Sequence, residues 1–461
     1  MREATAAVLR YAAHAGIDDT AGGAAQPPGW LSLPLRERVR RMAAGELDAE
    51  AWRREADGWS RYADSRYRAC VELRPTHPEG GPVRVGVKDS VDVAGFPTRL
   101  GLRRHRHYPA ESAACLRTVN PRSVIAKLVT PEVNVGMEHG CLNPKYPHLD
   151  PAGSSTGCAV AVAADLCDIG LGTDTVASVR LPAARCGVVG LRMTQDPGLA
   201  AGLFPVCPPL DAPGWLSRTA DDLAFFWRQY GLDRLPGSTA GQPEPGRPLR
   251  VGVVAEVHDG LCDPEILGAL EQTCAALSDA GNAVVPVRLG DLWRWRGAVY
   301  ELCTRAAWDA HQAWRGWTDE RLDEATRLAL EAGAAVPDAR YDEIRTGLES
   351  YRRSNAGRFA AAGVDLWLLP LAPIMPRNRH TTAPPVSAIP APGEPEYERR
   401  IGYTPVAAFA GLPAITFPVA TSDRENAPIA LQAIAGPGAE WRLIRFAATV
   451  ETILGRTGVP A

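Results

Sequence analysis

The sequence has almost no lysine. Only three of its 50 basic residues are lysines, Lys88, Lys127 and Lys145, so the other 47 are arginines. Arginine can replace lysine in most ion pairs, but it does not lose its proton in proteins, whereas a buried lysine can. The three positions that keep lysine are therefore candidates for chemistry that requires a neutral amine.

The chain also lacks features that would indicate a membrane or nucleic-acid partner. No apolar run reaches the roughly 18 residues of a membrane-spanning helix, and no hydrophobic leader segment is evident at the N-terminus. Net charge is −3 and no long basic run occurs, which argues against nucleic acid as the main partner. The ten cysteines form no C-x-x-C pair, so we expect free thiols in a reducing cytoplasm and no metal site.

The composition is that of an ordinary globular protein. Of the 461 residues, 46% are apolar and 22% are charged, so a sizeable core is expected. Residues 1–75 show helical periodicity and are predicted to form an N-terminal helical segment that packs on the rest. Residues 76–461 are predicted to form one large domain with a variable helical insertion at about 291–360. Alternating strands and helices indicate an α/β protein with a mixed central sheet.

Two stretches rich in small residues could hold a catalytic centre. They are PAGSSTGCAVAVAADL, which begins at residue 151, and GTDTVASVRLPAARCG, which begins at residue 172. Small residues ahead of a helix expose backbone N–H groups, which can stabilise an oxyanion. Ser154 and Ser178 lie in these stretches and bracket one predicted helix. A serine hydroxyl is a poor nucleophile until a neighbouring base takes its proton, and a neutral Lys88 could be that base.

Several alternatives to this interpretation remain open at the level of single residues. Gly153–Gly157 fits the G-x-S-x-G nucleophile elbow with Ser155 as nucleophile, but that motif needs a strand directly before it and the preceding residues are turn-rich. His139 and His148 lie near Ser154 in sequence, without a partner pattern for a Ser-His arrangement. Ser178 could be a small core residue, and Lys88 could pair with a neighbouring aspartate.

The two stretches, together with GVKDSVDVAGFPTRLG around Lys88, resemble the amidase signature family. The resemblance continues through YTPVAAFAGLPAITFPV and APIALQAIAGPGAEWRLIRFAATVE, and it covers roughly residues 80–455. It implies a large α/β/α fold around a mixed sheet, no metal and no cofactor, and amide cleavage through an acyl-enzyme.

The resemblance also implies roles for individual residues. Ser178 matches the nucleophile and Lys88 matches the base, while Ser154 matches the serine that bridges them and follows a cis peptide bond. The implied oxyanion hole consists of the backbone N–H groups of Thr175, Val176, Ala177 and Ser178. Hydrogen bonds and a buried ion pair that shape the site are expected from Ser155, Thr173, Asp174 and Arg180. Structural and surface roles are expected for Lys127 and Lys145, and core packing for the tryptophans at 293–317.

Some positions depart from the family pattern. The family usually has Gly-Gly where this chain has Val176 and Ala177, glycine at Ala152, and asparagine at Ala408; Thr156 departs as well. A β-branched residue at positive φ would be strained. We therefore expect a negative φ at Val176, which keeps the oxyanion hole and narrows the space above it.

The expected function is hydrolysis of an amide bond in a small molecule, with transfer of the acyl group to another amine as a variant. Two alternatives remain. The chain could be a catalytically weak or inactive amidase-like scaffold, or an A-type amidotransferase subunit that releases ammonia from glutamine for a partner. A homodimer is left open.

Overall fold

Eleven strands form one mixed sheet within the part of the chain that the computed structural model describes, residues 26–136, 139–235, 247–314, 321–376, 378–379 and 394–455. The strands are β1 (Cys70–Leu73), β2 (Val85–Lys88), β3 (Val124–Leu128), β4 (Ile169–Asp174), β5 (Val189–Arg192), β6 (Ala212–Ser217), β7 (Arg250–Val254), β8 (Ala283–Val287), β9 (Leu366–Pro370), β10 (Ala414–Ser422) and β11 (Ala427–Ala435). Their order is β1-β3-β2-β4-β6-β5-β10-β11-β9-β7-β8. The predicted α/β class with a mixed sheet is confirmed.

Helices connect these strands and cover the sheet. They are α1 (Leu35–Ala43), α2 (Ala49–Tyr67), α3 (Thr156–Ala163), α4 (Arg180–Arg185), α5 (Ala220–Gln229), α6 (Pro264–Asp279), α7 (Asp291–Trp295), α8 (Ala298–Trp314), α9 (Glu324–Ala334), α10 (Asp338–Arg353), α11 (Asn355–Ala361), α12 (Pro395–Arg400), α13 (Pro405–Ala410) and α14 (Glu440–Ile453). Helices α7–α11 occupy the region where a helical insertion was expected. None of the described helices is both long and apolar enough to cross a membrane.

The described part of the N-terminal segment is helical only as far as Tyr67. Arg68 adopts a left-handed conformation with φ 56°, which ends α2, and the Asp64 carboxylate accepts a hydrogen bond from the Cys70 amide. Residues Cys70–Leu73 then pair with β3 as an antiparallel edge strand. The described part of this segment is therefore mostly helical and ends in a short strand, and residues 1–25 lie outside the described residues.

The sheet has a hydrophobic cluster on each face. Val85 and Val87 belong to the larger cluster, which includes residues of α5 and α14. Ala126 and Leu128 of the neighbouring strand belong to a second cluster with α3. Because side chains alternate between the two faces of a strand, β2 and β3 supply both clusters. The implied arrangement of helices, sheet and helices is present.

Three parallel strands bring chemically useful residues to one edge of the sheet. Strand β2 pairs in parallel with both β3 and β4. Carboxyl ends of parallel strands meet at the same edge, so Lys88 at the end of β2 lies beside Thr173 near the end of β4. Gly172 lets α3 approach this edge, since a Cβ at residue 172 would lie 2.4 Å from Ser155 Oγ.

Candidate active site

The amine of Lys88 is buried at this edge and bonded to two hydroxyls. Its Nζ donates to Ser154 Oγ and to Thr173 Oγ1, each at 2.8 Å. The side chain is 0% exposed. Burial lowers the pKa of Lys88 to about 7, against a weaker opposing effect of Cys158, Asp211 and Asp174. A substantial fraction of this amine is therefore neutral near neutral pH.

Ser154 lies in a tightly held turn before α3. The Gly153–Ser154 peptide bond is cis, as the family resemblance implied for this serine. Thr156 Oγ1 donates to the Ala152 carbonyl at 2.6 Å, and the Asp150 carboxylate accepts from the Ala152 amide at 2.6 Å. Ser154 itself is 5% exposed. The turn thus fixes the Ser154 hydroxyl against the Lys88 amine.

Ser178 lies in the loop of residues 175–179, between β4 and α4, and is half-buried. The Ser155 amide donates to the Ser178 carbonyl at 3.0 Å, which holds this loop beside the Ser154 turn. Within the described parts of the chain, no acceptor is found for the backbone N–H groups of residues 175–178. Backbone donors without an internal partner beside a half-buried hydroxyl are available to bind an oxygen atom of a ligand.

A buried ion-pair network fixes the backbone of the 175–179 loop and the residues on either side of it. The Asp174 carboxylate accepts from Arg180 Nε at 3.0 Å and pairs with Arg192 Nη1 at 3.1 Å, and all three side chains are fully buried. Arg180 Nη2 also donates to the Val176 carbonyl at 2.5 Å. Although burial raises the pKa of Asp174, the two guanidinium groups outweigh it and lower that pKa to about 2. The carboxylate is therefore charged and paired.

Two neighbours of this loop were missed by sequence reasoning. Besides Arg192, Asp211 contacts the loop through Thr175, whose Oγ1 donates to Asp211 Oδ1 at 2.7 Å. Asp211 Oδ2 accepts from the amides of Val206 and Cys207 at 2.9 and 3.0 Å. Both residues lie in segments that resemble the family, but the sequence assigns them no role, and pairing of β4 and β5 with β6 brings them to the loop.

Ser155 has a supporting position. Its Oγ donates to the Thr173 carbonyl at 3.1 Å and accepts from the Thr173 amide at 3.2 Å. It occupies the N-cap position of α3 without a side-chain hydrogen bond to that helix. The residues before it form bends and turns, not the strand that an elbow requires. The described residues therefore do not form a G-x-S-x-G elbow.

The two histidines near Ser154 in sequence bond elsewhere. His139 Nε2 lies 3.6 Å from the Asp150 carboxylate, and its Nδ1 accepts from the Cys141 amide at 3.1 Å. His148 Nε2 contacts the Glu425 carbonyl at 3.1 Å. Neither contact involves a serine, so a Ser-His arrangement receives no support from this geometry.

The departures from the family pattern differ in their structural effect. Val176 is not among the residues with positive φ, as expected for an intact oxyanion hole. Ala152 is the strained position instead, with φ 61°, a conformation that costs roughly 1–2 kcal/mol for a residue with a Cβ. Ala408 is fully buried, and its carbonyl accepts from Arg352 Nη2 at 3.1 Å.

The expected core tryptophans pack against α13 and its N-terminal neighbours. The Trp295 ring stacks on Phe409 at 5.5 Å between centroids, and Trp293 lies 4.9 Å from Tyr403. The side chain of Trp314 and all of residue 317 lie outside the described structure. Trp308 packs against another hydrophobic cluster, so packing is the observed role of all three described tryptophans.

Comparison with known proteins agrees with this geometry. A family model described as Amidase matches residues 79–444. The A subunit of the glutamyl-tRNA(Gln) amidotransferase of Thermus thermophilus is 32% identical over 94% of this chain and 98% of that protein. The mandelamide hydrolase of Pseudomonas putida is 25% identical over 94% of this chain and 88% of that protein. The solved peptide amidase of Stenotrophomonas maltophilia shares the fold, with a TM-score of 0.69, 21% identity and coverage of 91% and 96%.

Proposed function

The chain belongs to the amidase signature family, and we propose that it hydrolyses an amide bond of a small molecule through an acyl-enzyme on Ser178. The observation that carries the proposal is the buried Lys88 amine, 2.8 Å from the Ser154 hydroxyl. This amine can accept a proton near neutral pH because burial lowers its pKa. An arginine at the same position could not.

The first proposed step is attack on the substrate carbonyl carbon. Ser178 Oγ loses its proton to Ser154 Oγ, while Ser154 passes its own hydroxyl proton to Lys88 Nζ. The new bond between Ser178 Oγ and the carbonyl carbon places a negative charge on the carbonyl oxygen. The N–H groups of residues 175–178 are the proposed donors to that oxygen, and one such donor typically contributes roughly 3–4 kcal/mol to a transition state.

The second step releases the amine. Lys88 returns its proton through Ser154 to the leaving nitrogen, the carbon–nitrogen bond breaks, and the acyl group stays on Ser178 as an ester. Water then gives a proton to the same Ser154–Lys88 relay and attacks the ester, which releases the acid and restores the serine. Another amine in place of water would give acyl transfer.

Val176 bears on which substrates can reach Ser178. It is half-buried beside the nucleophile, where the family pattern usually has glycine, and Arg180 holds its carbonyl. Its two methyl groups occupy space that glycine would leave open, so we propose a narrowed entrance and a small amide substrate.

Covalent labelling tests the nucleophile. A fluorophosphonate should add once to the protein in intact-mass measurements, and peptide mapping should place the adduct on Ser178. The Ser178→Ala variant should show no adduct, while a Ser65→Ala variant, which changes an exposed serine on α2, should label as the parent does. Persistent labelling of Ser178→Ala, or an adduct on Ser155, would contradict the assignment.

A second candidate function follows from one relative. The Thermus thermophilus protein matched over 94% of this chain is part of an amidotransferase, which favours release of ammonia from glutamine for a partner as the alternative. Assaying the chain alone with glutamine and with a panel of small amides and esters separates the two functions. A protein that labels on Ser178 but turns over only glutamine would support the alternative. A protein that neither labels nor turns over any substrate would be an inactive scaffold.

A further inference from the structure

Lys127 is the second buried lysine of the chain, and it has no place in the reaction proposed above. It lies on β3, directly beside β2, and its side chain is 0% exposed. Lys127 pairs in register with Val87, and Leu128 pairs with Lys88. Since side chains alternate along a strand, Lys127 and Lys88 point to opposite faces of the sheet. Lys127 therefore cannot reach Ser154 directly.

The contacts of Lys127 converge on the turn that follows Lys88. Val91 N donates to the Lys88 carbonyl at 3.0 Å, which closes a four-residue turn directly after β2. Lys127 Nζ donates to the Val91 carbonyl at 2.5 Å and to Thr98 Oγ1 at 3.3 Å. Thr98 Oγ1 in turn donates to Asp92 Oδ1 at 2.7 Å. Lys127 thus connects Val91, the last residue of the turn, to Thr98 further along the chain.

We propose that Lys127 is a positioning residue for the base: by fixing the turn of residues 88–91 from the opposite face of the sheet, it keeps the Lys88 amine buried and in contact with Ser154 and Thr173. This inference rests on the proposed role of Lys88. It gives related roles to two of the three lysines of the chain, which lie on adjacent strands. Lys88 exchanges the proton, and Lys127 holds the backbone turn that begins at Lys88.

The charges around each lysine fit this division of roles. Lys127 is faced by Asp89, Asp92 and Arg99, and by Glu72, its partner in register on β1. Burial lowers the pKa of Lys127 to about 8, against the attraction of Asp89. Burial raises the pKa of Asp89 to about 6, although Lys127 opposes that rise. Near pH 7 the pair is therefore largely charged, and a charged amine is a strong donor to the Val91 carbonyl.

Lys88 has a different set of neighbours. Cys158, Asp211 and Asp174 are the groups that act on its charge, and burial dominates all of them. If the turn loosens, water reaches the Lys88 amine and the cost of charging it falls. The pKa of Lys88 then rises toward its ordinary value. Loss of Lys127 should therefore change the titration of a residue that Lys127 does not contact.

The three-lysine composition makes this measurable. In the full chain labelled with 13Cε-lysine, NMR should show one resonance for each lysine, assigned with single lysine variants. In Lys127→Met, the titration midpoint of Lys88 should move up by about one pH unit. At pH values below the midpoint, the neutral fraction of Lys88 then falls about tenfold. Thr98→Val, which removes one hydroxyl without changing side-chain shape, should shift it in the same direction by less.

Lys145→Met is the matched control, because Lys145 is exposed and donates to the Gly187 carbonyl on another loop. It should leave the Lys88 midpoint unchanged. An unshifted midpoint in a folded Lys127→Met protein would overturn the inference, and Thr98→Val decides if Lys127→Met does not fold. The titration needs no turnover, so a chain that fails to label on Ser178 would refute the proposed function and still decide this inference.

Discussion

At the scale of single residues, Lys88 shows how a chain can obtain a neutral amine without a neighbouring cation. Burial lowers its pKa, and the anionic groups around it act in the opposite direction. Its two hydrogen-bond partners are hydroxyls, which can both donate and accept and so suit either protonation state. The amine can therefore gain and lose a proton without losing its partners.

The pH dependence of Ser178 labelling should report this amine. The neutral form is the proposed base and the pKa is about 7, so the rate should rise as pH increases through about 7 and level off above it. Lys88→Arg keeps the charge and cannot supply a neutral base, so its labelling should be close to absent at every pH. Intact-mass measurements on samples quenched at successive times, from acidic to alkaline pH, give the labelling rates of the parent and of Lys88→Arg. A rate that does not change across neutral pH would contradict the role of Lys88.

Single residues of the site differ in how well the sequence predicts them. Lys88, Ser154 and Ser178 lie in short local motifs, and the scarcity of lysine adds an independent signal for Lys88. Asp211 and Arg192 carry no such signal, because an aspartate and an arginine are common in this composition. They reach the site only through strand pairing, which a single sequence does not reveal.

At the scale of elements, the 175–179 loop depends on the charged groups below it. Asp174 ends β4, Arg180 begins α4 and Arg192 ends β5, so three elements meet at one carboxylate. Arg192 Nη2 also donates to the Leu210 carbonyl at 2.7 Å. This bond connects the segment between β5 and β6 to the same network. The loop is therefore fixed by the Asp174 carboxylate and its two guanidinium partners. Loss of that carboxylate would leave buried positive charge without compensation.

Replacing Arg192 tests that support. Arg192→Met should lower the free energy of unfolding by about 1–3 kcal/mol, because Asp174 keeps Arg180 but the buried Leu210 carbonyl loses its donor. Labelling of Ser178 should slow as well, since the loop loses an anchor. Arg294→Met breaks an exposed pair with Asp291 and should change stability by less than about 1 kcal/mol. Urea unfolding of both variants makes the comparison, and equal effects would contradict a special role for the buried pair.

Elements with clear apolar patterns are predicted well from sequence, whereas β6 is a strand that its local sequence does not predict. Strands β7, β9, β10 and β11 are mostly apolar and are bounded by turn residues. Strand β6 contains Pro213 and Gly214, which usually argue against a central strand. Here Gly214 is required by close packing, because a Cβ at that residue would lie 2.6 Å from the Leu191 carbonyl oxygen. Tertiary contact thus overrides local propensity.

At the scale of the whole molecule, Asp168 joins helix α1 to the segment that leads into β4. Arg38 on α1 lies 2.6 Å from the Asp168 carboxylate, which also pairs with Arg84 Nη2 at 2.9 Å. All three side chains are almost fully buried. The guanidinium groups outweigh the effect of burial and hold the pKa of Asp168 well below its usual range. This contact lies before β4, away from the 175–179 loop at its other end.

Arg38→Met should therefore separate stability from catalysis. The variant should lose about 1–3 kcal/mol of unfolding free energy, because Asp168 keeps Arg84 but loses the second of its two buried guanidinium partners. The Ser178 labelling rate in the folded protein should stay within about twofold of the parent, since no contact of Arg38 involves the loop. Arg36→Met, which alters an exposed neighbour on α1, is the control. A large change in labelling by Arg38→Met would contradict this separation.

Arg180 joins segments of the chain that are synthesised far apart in time. Its Nη1 donates to the Thr404 carbonyl at 3.2 Å and to Gln432 Oε1 at 2.9 Å, partners 224 and 252 residues further along. A nascent chain carries all three candidate catalytic residues long before these partners leave the ribosome. Contacts of such high sequence separation form late. Segments that are translated long after Arg180 therefore complete the framework of the candidate active site, and a shorter nascent chain has the candidate catalytic residues without the contacts that align them.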